Sequence, residues 1–504
     1  MIKILFGKYF KLFFLIFISA FVLSYVGYNF NIVNQILFAV ICLVTVVLSF
    51  YNLKFGLYIV LAELFVGSKG YLFWIEIEGT QVSLRLGLFL IVFAIWLYTF
   101  IKQRDSALIK SKLFKPLLLL SFFIVYGLVL GLIRGNSFDN LFFDINGYLY
   151  FGLAFVFFLV IRQKENINEI LQILVAAILA VTFKSLLLVY IFGHQFVFTM
   201  PSLYRWVREF GIGEITMVTG NFYRVFFQGQ IYALFLFFVG LGFIFGQDRL
   251  SAKDKKTWVI IITILITTTV IIVSYSRSFW LGLAGGLLFL IPLLFRPLRL
   301  TLAQVFKRGL IALVTVIIGV GLVFGAANFP FPQPGGTTSA SLIKSRALED
   351  LTSEAAAASR WKLLPILWDK IGDSPILGQG FGTTVTYKTE DPRFLDAHPD
   401  GLNTTFAFEW TYLDIWIKMG LFGLLSYLYL LWVVCRMGWS TIKDKRSEFR
   451  PLGLGLLAAL VCLVVLNLTT PYLNHPLGIG FILLSGVIFS LAGHERSAED
   501  VNNV

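Results

Sequence analysis

Charge is what this sequence has least of: Asp, Glu, Lys and Arg make up 14% of its 504 residues, against about 25% in soluble domains. A chain so poor in charge lacks the polar surface that a water-soluble globule needs. Disorder and nucleic-acid-binding modules are excluded with it. Cysteine is scarce too. Cys42, Cys435 and Cys462 all lie within or at the ends of apolar runs, which excludes a disulfide-built secreted scaffold and shows no metal-ligand spacing. There is no Walker-type glycine loop and no Gly-x-Ser-x-Gly elbow, so nucleotide-driven transport by this chain alone is not expected. No A-x-A site follows the first apolar run, near Tyr9, which reads as a retained helix.

What is present is apolar material: 58% hydrophobic residues, 53 Phe, and a mean hydropathy of +0.84. A bilayer-spanning helix takes roughly 20 apolar residues. The apolar runs predict an all-α, polytopic integral membrane helix bundle of about 14 spans. Spans 1–11 fall in residues 1–326, and spans 12–14 with a short cytoplasmic tail fall in 411–504. The third (55–67) and sixth (147–161) are short. Between the two blocks, residues 327–410 form a long extracytoplasmic helical loop acting as a lid.

Alternating the segments from a cytoplasmic N-terminus puts 25 Lys and Arg inside and 14 outside, seven of the latter in the one long loop. Long loops are exempt from the positive-inside rule. The net charge of +13 is therefore a membrane signature, not a polyanion site, and both termini are expected in the cytoplasm.

Two outer segments stand apart, 193–228 and 327–410. The second opens with a Pro/Gly/Ser/Thr-rich entry (329–341) and continues with helical composition over 342–358. A further helix is expected from Ser359, with Trp361, Leu364, Trp368 and Ile371 on one apolar face and Pro365 as a kink point.

Charges at membrane depth carry the chemistry, because burying one is costly. Arg277, in SYSRSFWLGLAGG, sits at the outer end of two close spans, ahead of a glycine-rich helix that permits tight packing. A buried guanidinium there needs a carboxylate or phosphate partner. Snorkelling to the interface is the competing account. Arg224 lies in a similar apolar setting, whereas Arg205 and Arg208 read equally as ordinary loop charges. Glu63 and Lys184 fall inside spans, where pairing with another buried group is expected. The Gly378, Gly380, Gly382 spacing resembles a dinucleotide fingerprint but follows no strand of a βαβ unit; a tight turn after a surface helix is the better account.

With these motifs in view, the sequence resembles the O-antigen ligase and O-antigen polymerase superfamily of bacterial surface-glycan enzymes. The resemblance covers roughly 210–490. It rests on Ser276–Arg277, on the R-x-x-L-x-x-x-x-W-x-x-I-x-x-x-P-x-x-G-x-G stretch of the long loop, on the Y-L-x-x-x-x-x-x-G-L-x-G helix entry, and on TTPYLNHP (Thr469 to Pro476). It implies a membrane-embedded, metal-independent glycosyltransferase without cofactors, in the bacterial cytoplasmic membrane. Such an enzyme takes glycan from an undecaprenyl-diphosphate carrier and passes it to a hydroxyl of a glycan or lipid-linked glycan acceptor, with other polysaccharide assembly proteins as possible partners.

Arginines hold the diphosphate in that family, which assigns Arg277, Arg224 and, from the lid, Arg360. The family's base is usually a His in a His-Asn pair before the Leu that Leu413 matches. Here those positions are Glu409 and Trp410. Glu409 and His398, eleven residues earlier, are the two candidate bases. Polymerase and ligase remain open, and a secondary transporter or lipid-linked oligosaccharide flippase is the alternative class.

Overall fold

The computed structural model describes residues 5–104, 107–247, 250–251, 253–336, 355–389, 392–395 and 398–502. The chain opens with α1 (Lys8–Asn29), α2 (Asn31–Tyr51) and α3 (Leu53–Val66), then a hairpin of β1 (Trp74–Ile77) and β2 (Thr80–Ser83). Next come α4 (Leu84–Gln103), α5 (Phe114–Ile133), the pair α6 (Phe138–Asn146) and α7 (Leu153–Val160), and α8 (Lys164–Gly193). A short helix, α9 (Met200–Glu209), precedes the hairpin of β3 (Glu214–Thr219) and β4 (Phe222–Phe226). Four helices follow: α10 (Ile231–Gly246), α11 (Lys255–Ser274), α12 (Arg277–Phe295) and α13 (Leu302–Ala327). The lid carries α14 (Ala355–Gly372), β5 (Val385–Lys388) and β6 (Leu402–Thr405), and the chain ends with α15 (Thr411–Lys443), α16 (Arg450–Leu466) and α17 (Pro476–Asn502).

The protein is an all-α polytopic bundle. Among the described residues, 11 helices are long and apolar enough to cross a membrane, or 12 if the pair bent by 41° that includes α6 and α7 is one span. The expected fourteen segments are all helical, but α3 has 14 residues and α16 has 17. With apolar residues nearly all round, α3 has no face suited to water, and it is buried in the bundle along most of its length.

Among the described residues, three two-stranded antiparallel hairpins interrupt the helical pattern, none of them expected. The first joins Ile77 to Thr80 through Glu78 and Gly79, both at positive φ (50° and 80°), the backbone that a two-residue hairpin turn requires.

Small residues set the central packing. A Cβ on Gly242 of α10 would lie 2.4 Å from the Pro451 carbonyl oxygen, so α10 and α16 meet almost backbone to backbone. On α12, Gly282 faces Cys462 and Leu466 in the same close manner, as its glycine-rich sequence implies.

The lid differs from expectation in phase. Residues 342–354 lie outside the described set, and α14 starts at Ala355. Its buried face is Leu363, Leu367 and Ile371, whereas Trp361 and Trp368 are 46% and 51% exposed. The tryptophans lie edge-on to Trp410 and Trp416 instead. The buried face forms a small core with Val385, Phe408 and Ile417, so α14 packs against the start of α15.

The glycine turn after α14 goes further than a surface turn. Gly378, Gly380 and Gly382 all have positive φ, and the segment wedges between α5 and α15. The Phe381 N–H donates to Gly127 O (3.0 Å), and Leu421 N–H reaches Pro375 O and Ile376 O (both 3.2 Å). α15 is broken at Gly420 (φ 72°) to admit it. The buried groups that meet Lys184 are aromatic: its Nζ lies 4.0 Å and 3.8 Å from the ring centres of Phe21 and Phe227.

Candidate functional site

Arg277 is the first residue of α12. It is half-buried, directly after a two-residue turn in which Tyr275 is buried at φ 49°. A left-handed backbone at a bulky aromatic is rare, and here it fixes the direction in which α12 leaves the turn. Arg224, on β4, lies against that same turn. Its Nε donates to Ser274 O at 2.9 Å, its Nη1 is 3.7 Å from Glu214 Oε2, and its guanidinium is 4.9 Å from the Phe226 ring.

The lid residues form a second pair. Arg360, on α14, hydrogen-bonds and ion-pairs Glu409, while Trp410 Nε1 donates to Arg360 O at 3.0 Å. Glu409 stands two residues before α15 and is half-exposed. His398 is separate. It is exposed in the connection between β5 and β6, with its ring 4.6 Å from that of Phe394.

The loop between α16 and α17 ties the two pairs together. Asn467 Oδ1 accepts from the Tyr472 and Leu473 N–H groups at 2.8 Å each, which curls the loop. Thr411 Oγ1 donates to Thr470 O (3.2 Å), and the Thr470 hydroxyl is 2.7 Å from Ser278 Oγ. The Tyr472 hydroxyl donates to Gln228 O at 3.2 Å, and burial raises its pKa, so it stays a proton donor. One loop therefore contacts the starts of α12 and α15 and the residues just after β4.

Two buried ionic clusters escaped the sequence reading. Lys418 Nζ lies 2.5 Å from Asp144 Oδ1, 2.6 Å from Asp414 Oδ1 and 2.9 Å from Phe406 O. Asp144 Oδ2 accepts from the Gly382 N–H at 2.8 Å. The cluster thus grips both ends of the lid segment that carries β5 and β6. The Asp414–Lys418 half was visible as an i, i+4 pair on a helix; Asp144, on α6, gave no signal.

The other cluster supplies the partner expected for Glu63. Arg85 Nε donates to Glu63 Oε2 at 2.8 Å and Nη2 to Oε1 at 3.1 Å, both side chains being buried. His475 lies nearby. Burial, together with the charges of Arg85 and Lys69, pushes its pKa down to about 3, and its Nδ1 accepts from Leu477 N–H at 3.3 Å. No grouping of three or more His, Cys, Asp or Glu suited to a metal ion occurs among the described residues.

Residues 262–428 match the family described as O-antigen ligase. No curated protein matches the chain. The matched stretch runs from within α11 to the middle of α15 and includes Arg277, Arg360, His398, Glu409, Asp414 and Lys418; Arg224 and the loop 467–475 lie outside it. Such a domain in a polytopic helix bundle marks a membrane enzyme of glycan assembly. The match, over about a third of the chain, supports a place for residues 262–428 in the O-antigen ligase and polymerase superfamily.

Proposed function

We propose that the protein is a metal-independent glycosyltransferase that moves glycan from an undecaprenyl-diphosphate carrier to a glycan hydroxyl at the outer face of the bacterial cytoplasmic membrane. Both termini are in the cytoplasm, and the lid, 327–410, is outside. The observation that carries the reading is the Thr411–Thr470–Ser278 connection. It couples the entry of α15, where Glu409 stands, to the start of α12, where Arg277 stands, inside a chain that matches the O-antigen ligase family.

In the reaction, the bond from the anomeric carbon to the diphosphate oxygen breaks as the acceptor oxygen bonds to that carbon. Undecaprenyl diphosphate leaves, and the acceptor's proton passes to a base. Arg277 and Arg224 stabilise charge growing on the leaving group, with no water to reorganise at the moment of reaction. Arg360 and Glu409 act as a matched set. Each neutralises the other in the free enzyme, and an arriving diphosphate competes for the guanidinium. The Glu409 carboxylate is then released to receive the proton, a step worth typically 10²–10⁴ in rate. His398 is the runner-up base, requiring the β5–β6 connection to fold toward the cavity.

The family match favours transfer over transport. Polymerase and ligase differ in the acceptor: a second lipid-linked repeat unit or a lipid core. Purified protein, given lipid-diphosphate repeat units in a chelating buffer, is expected to form glycosidic product and release undecaprenyl diphosphate. The acceptor that supports turnover separates the two. A protein that binds donor yet forms product with neither acceptor would reject the reading.

A further inference from the structure

Helix α5 has 20 residues, the length that just crosses the hydrocarbon, so its two ends mark the two faces of the bilayer. The turn after α14 meets α5 well short of its lid-side end. The Phe381 N–H bonds Gly127 O at 3.0 Å, and a Cβ on Gly131 would lie 2.4 Å from Phe381 O. Gly127 lies six residues before Ile133, about 9 Å along the helix axis. On its other side the turn meets the break in α15, where the Leu421 N–H reaches Pro375 O and Ile376 O.

Non-helical backbone at that depth is tolerated only where protein groups satisfy it. Here they do. Pro375 O accepts from Trp416 Nε1 at 2.7 Å, and Leu377 O from the Tyr126 hydroxyl at 3.0 Å. Asn136 Nδ2 donates to Phe381 O at 2.8 Å, the Thr383 hydroxyl donates to Gly380 O at 2.8 Å, and the Gly382 N–H reaches Asp144. A turn in water needs no such set of partners, because solvent serves the same groups.

The side chains divide to match. Pro375, Ile376 and Leu377 are exposed, the last two by 56% and 58%. They continue the exposed apolar surface of two spanning helices, Phe422 and Leu425 on α15 and Val125 and Val129 on α5. Polar groups gather instead at the end of α5. Arg134 hydrogen-bonds the Gln379 and Ser374 side chains, and Lys370 pairs with Asp373 at 3.5 Å. Half-exposed Trp368 lies in the same last turns of α14.

We propose that residues 374–382 are a re-entrant segment through which the lid dips into the leaflet on its own side of the membrane. Pro375, Ile376 and Leu377 rest against lipid acyl chains, and Trp368 stands at headgroup level, where tryptophan collects. The spans α5 and α15 alone set this depth, whatever the reaction. The lid is thereby rooted in the bilayer at the lower end of α14, and Arg360, at the upper end, is carried at a fixed height above the acyl chains.

The test uses the full chain in nanodiscs, spin-labelled at Leu377→Cys, Lys362→Cys or Val125→Cys. The native protein, labelled in parallel, supplies the background from Cys42, Cys435 and Cys462. Collision with oxygen, which concentrates among acyl chains, is compared with collision with a water-soluble nickel chelate. The oxygen-to-nickel ratio at 377 is expected to match that at lipid-facing 125 and to stand several-fold above that at exposed 362. Leu377→Trp is a second probe that needs no label. Its added fluorescence, read as the difference from the native protein, is expected to be quenched by lipid brominated on the acyl chains. Leu377 is exposed, so neither substitution disturbs a packed core. A ratio at 377 no higher than that at 362, or added fluorescence untouched by brominated lipid, would overturn the proposal and make the segment a turn in water.

Discussion

The hydroxyls of Thr470 and Ser278 stand 2.7 Å apart, joining a loop near the C-terminus to the first turn of α12. Thr470 also accepts, through its carbonyl, from Thr411 at the start of α15. Two helix starts separated by the whole lid are thereby held at fixed spacing. Thr470→Val keeps the shape and removes the hydroxyl. We expect a fall in kcat of about 10-fold with the protein folded, because small misplacement of reacting groups is costly. Steady-state transfer kinetics on purified variant check this.

The lid latch gives a stability prediction. Lys418 sits between Asp144 and Asp414, with side-chain exposures of 2%, 6% and 0%. Lys418→Met leaves two buried carboxylates without their cation and should destabilise the fold by about 3–5 kcal/mol. Asp144→Asn retains one ion pair and should cost less, while freeing the segment around Gly382 to proteolysis. Thermal unfolding and limited proteolysis in detergent read both effects.

Glu409 and Arg360 should behave as a unit. Glu409→Gln is expected to lower transfer about 10²-fold or more with donor still bound, and Arg360→Gln to weaken donor binding. The paired control is His398→Ala, expected to transfer normally. A dead but donor-binding His398→Ala beside a normal Glu409→Gln would move the base to the histidine.

The pH dependence follows from His475. Its pKa lies near 3 in the fold against 6.5 for an unperturbed imidazole, so the unfolded chain binds this proton first as pH falls. Its contribution to stability is complete above about pH 6.5 and shrinks steadily toward pH 3. Thermal melts across that window should show a shallower acid slope in His475→Gln than in the native protein.

The bundle was legible in the sequence because hydropathy alone specifies apolar helices; even the short α3 and α16 were visible as segments, though their lengths fall below a full span. The hairpins were not, since strands as short as Trp74–Ile77 carry little periodicity. Arg277 stood out as a cation beside hydroxyls in an apolar run. Asp144 and Arg85 did not, because nothing local marks a charge whose partner lies on another helix: Asp144 meets Lys418 across 274 positions. The lid helix was found one phase off. Tryptophans count as apolar in a pattern, yet at this surface Trp361 and Trp368 cover other tryptophans while leucines fill the core.

In the proposed reaction Arg277 holds the donor's diphosphate. The measurement is transfer from lipid-diphosphate donor by purified Arg277→Ala and Arg277→Lys, each compared with the native protein at equal folded amount. Both should be impaired, Arg277→Ala by about 10²–10³-fold in kcat and Arg277→Lys also strongly, since an ammonium lacks the bidentate fork. Native rates from Arg277→Ala would contradict the account.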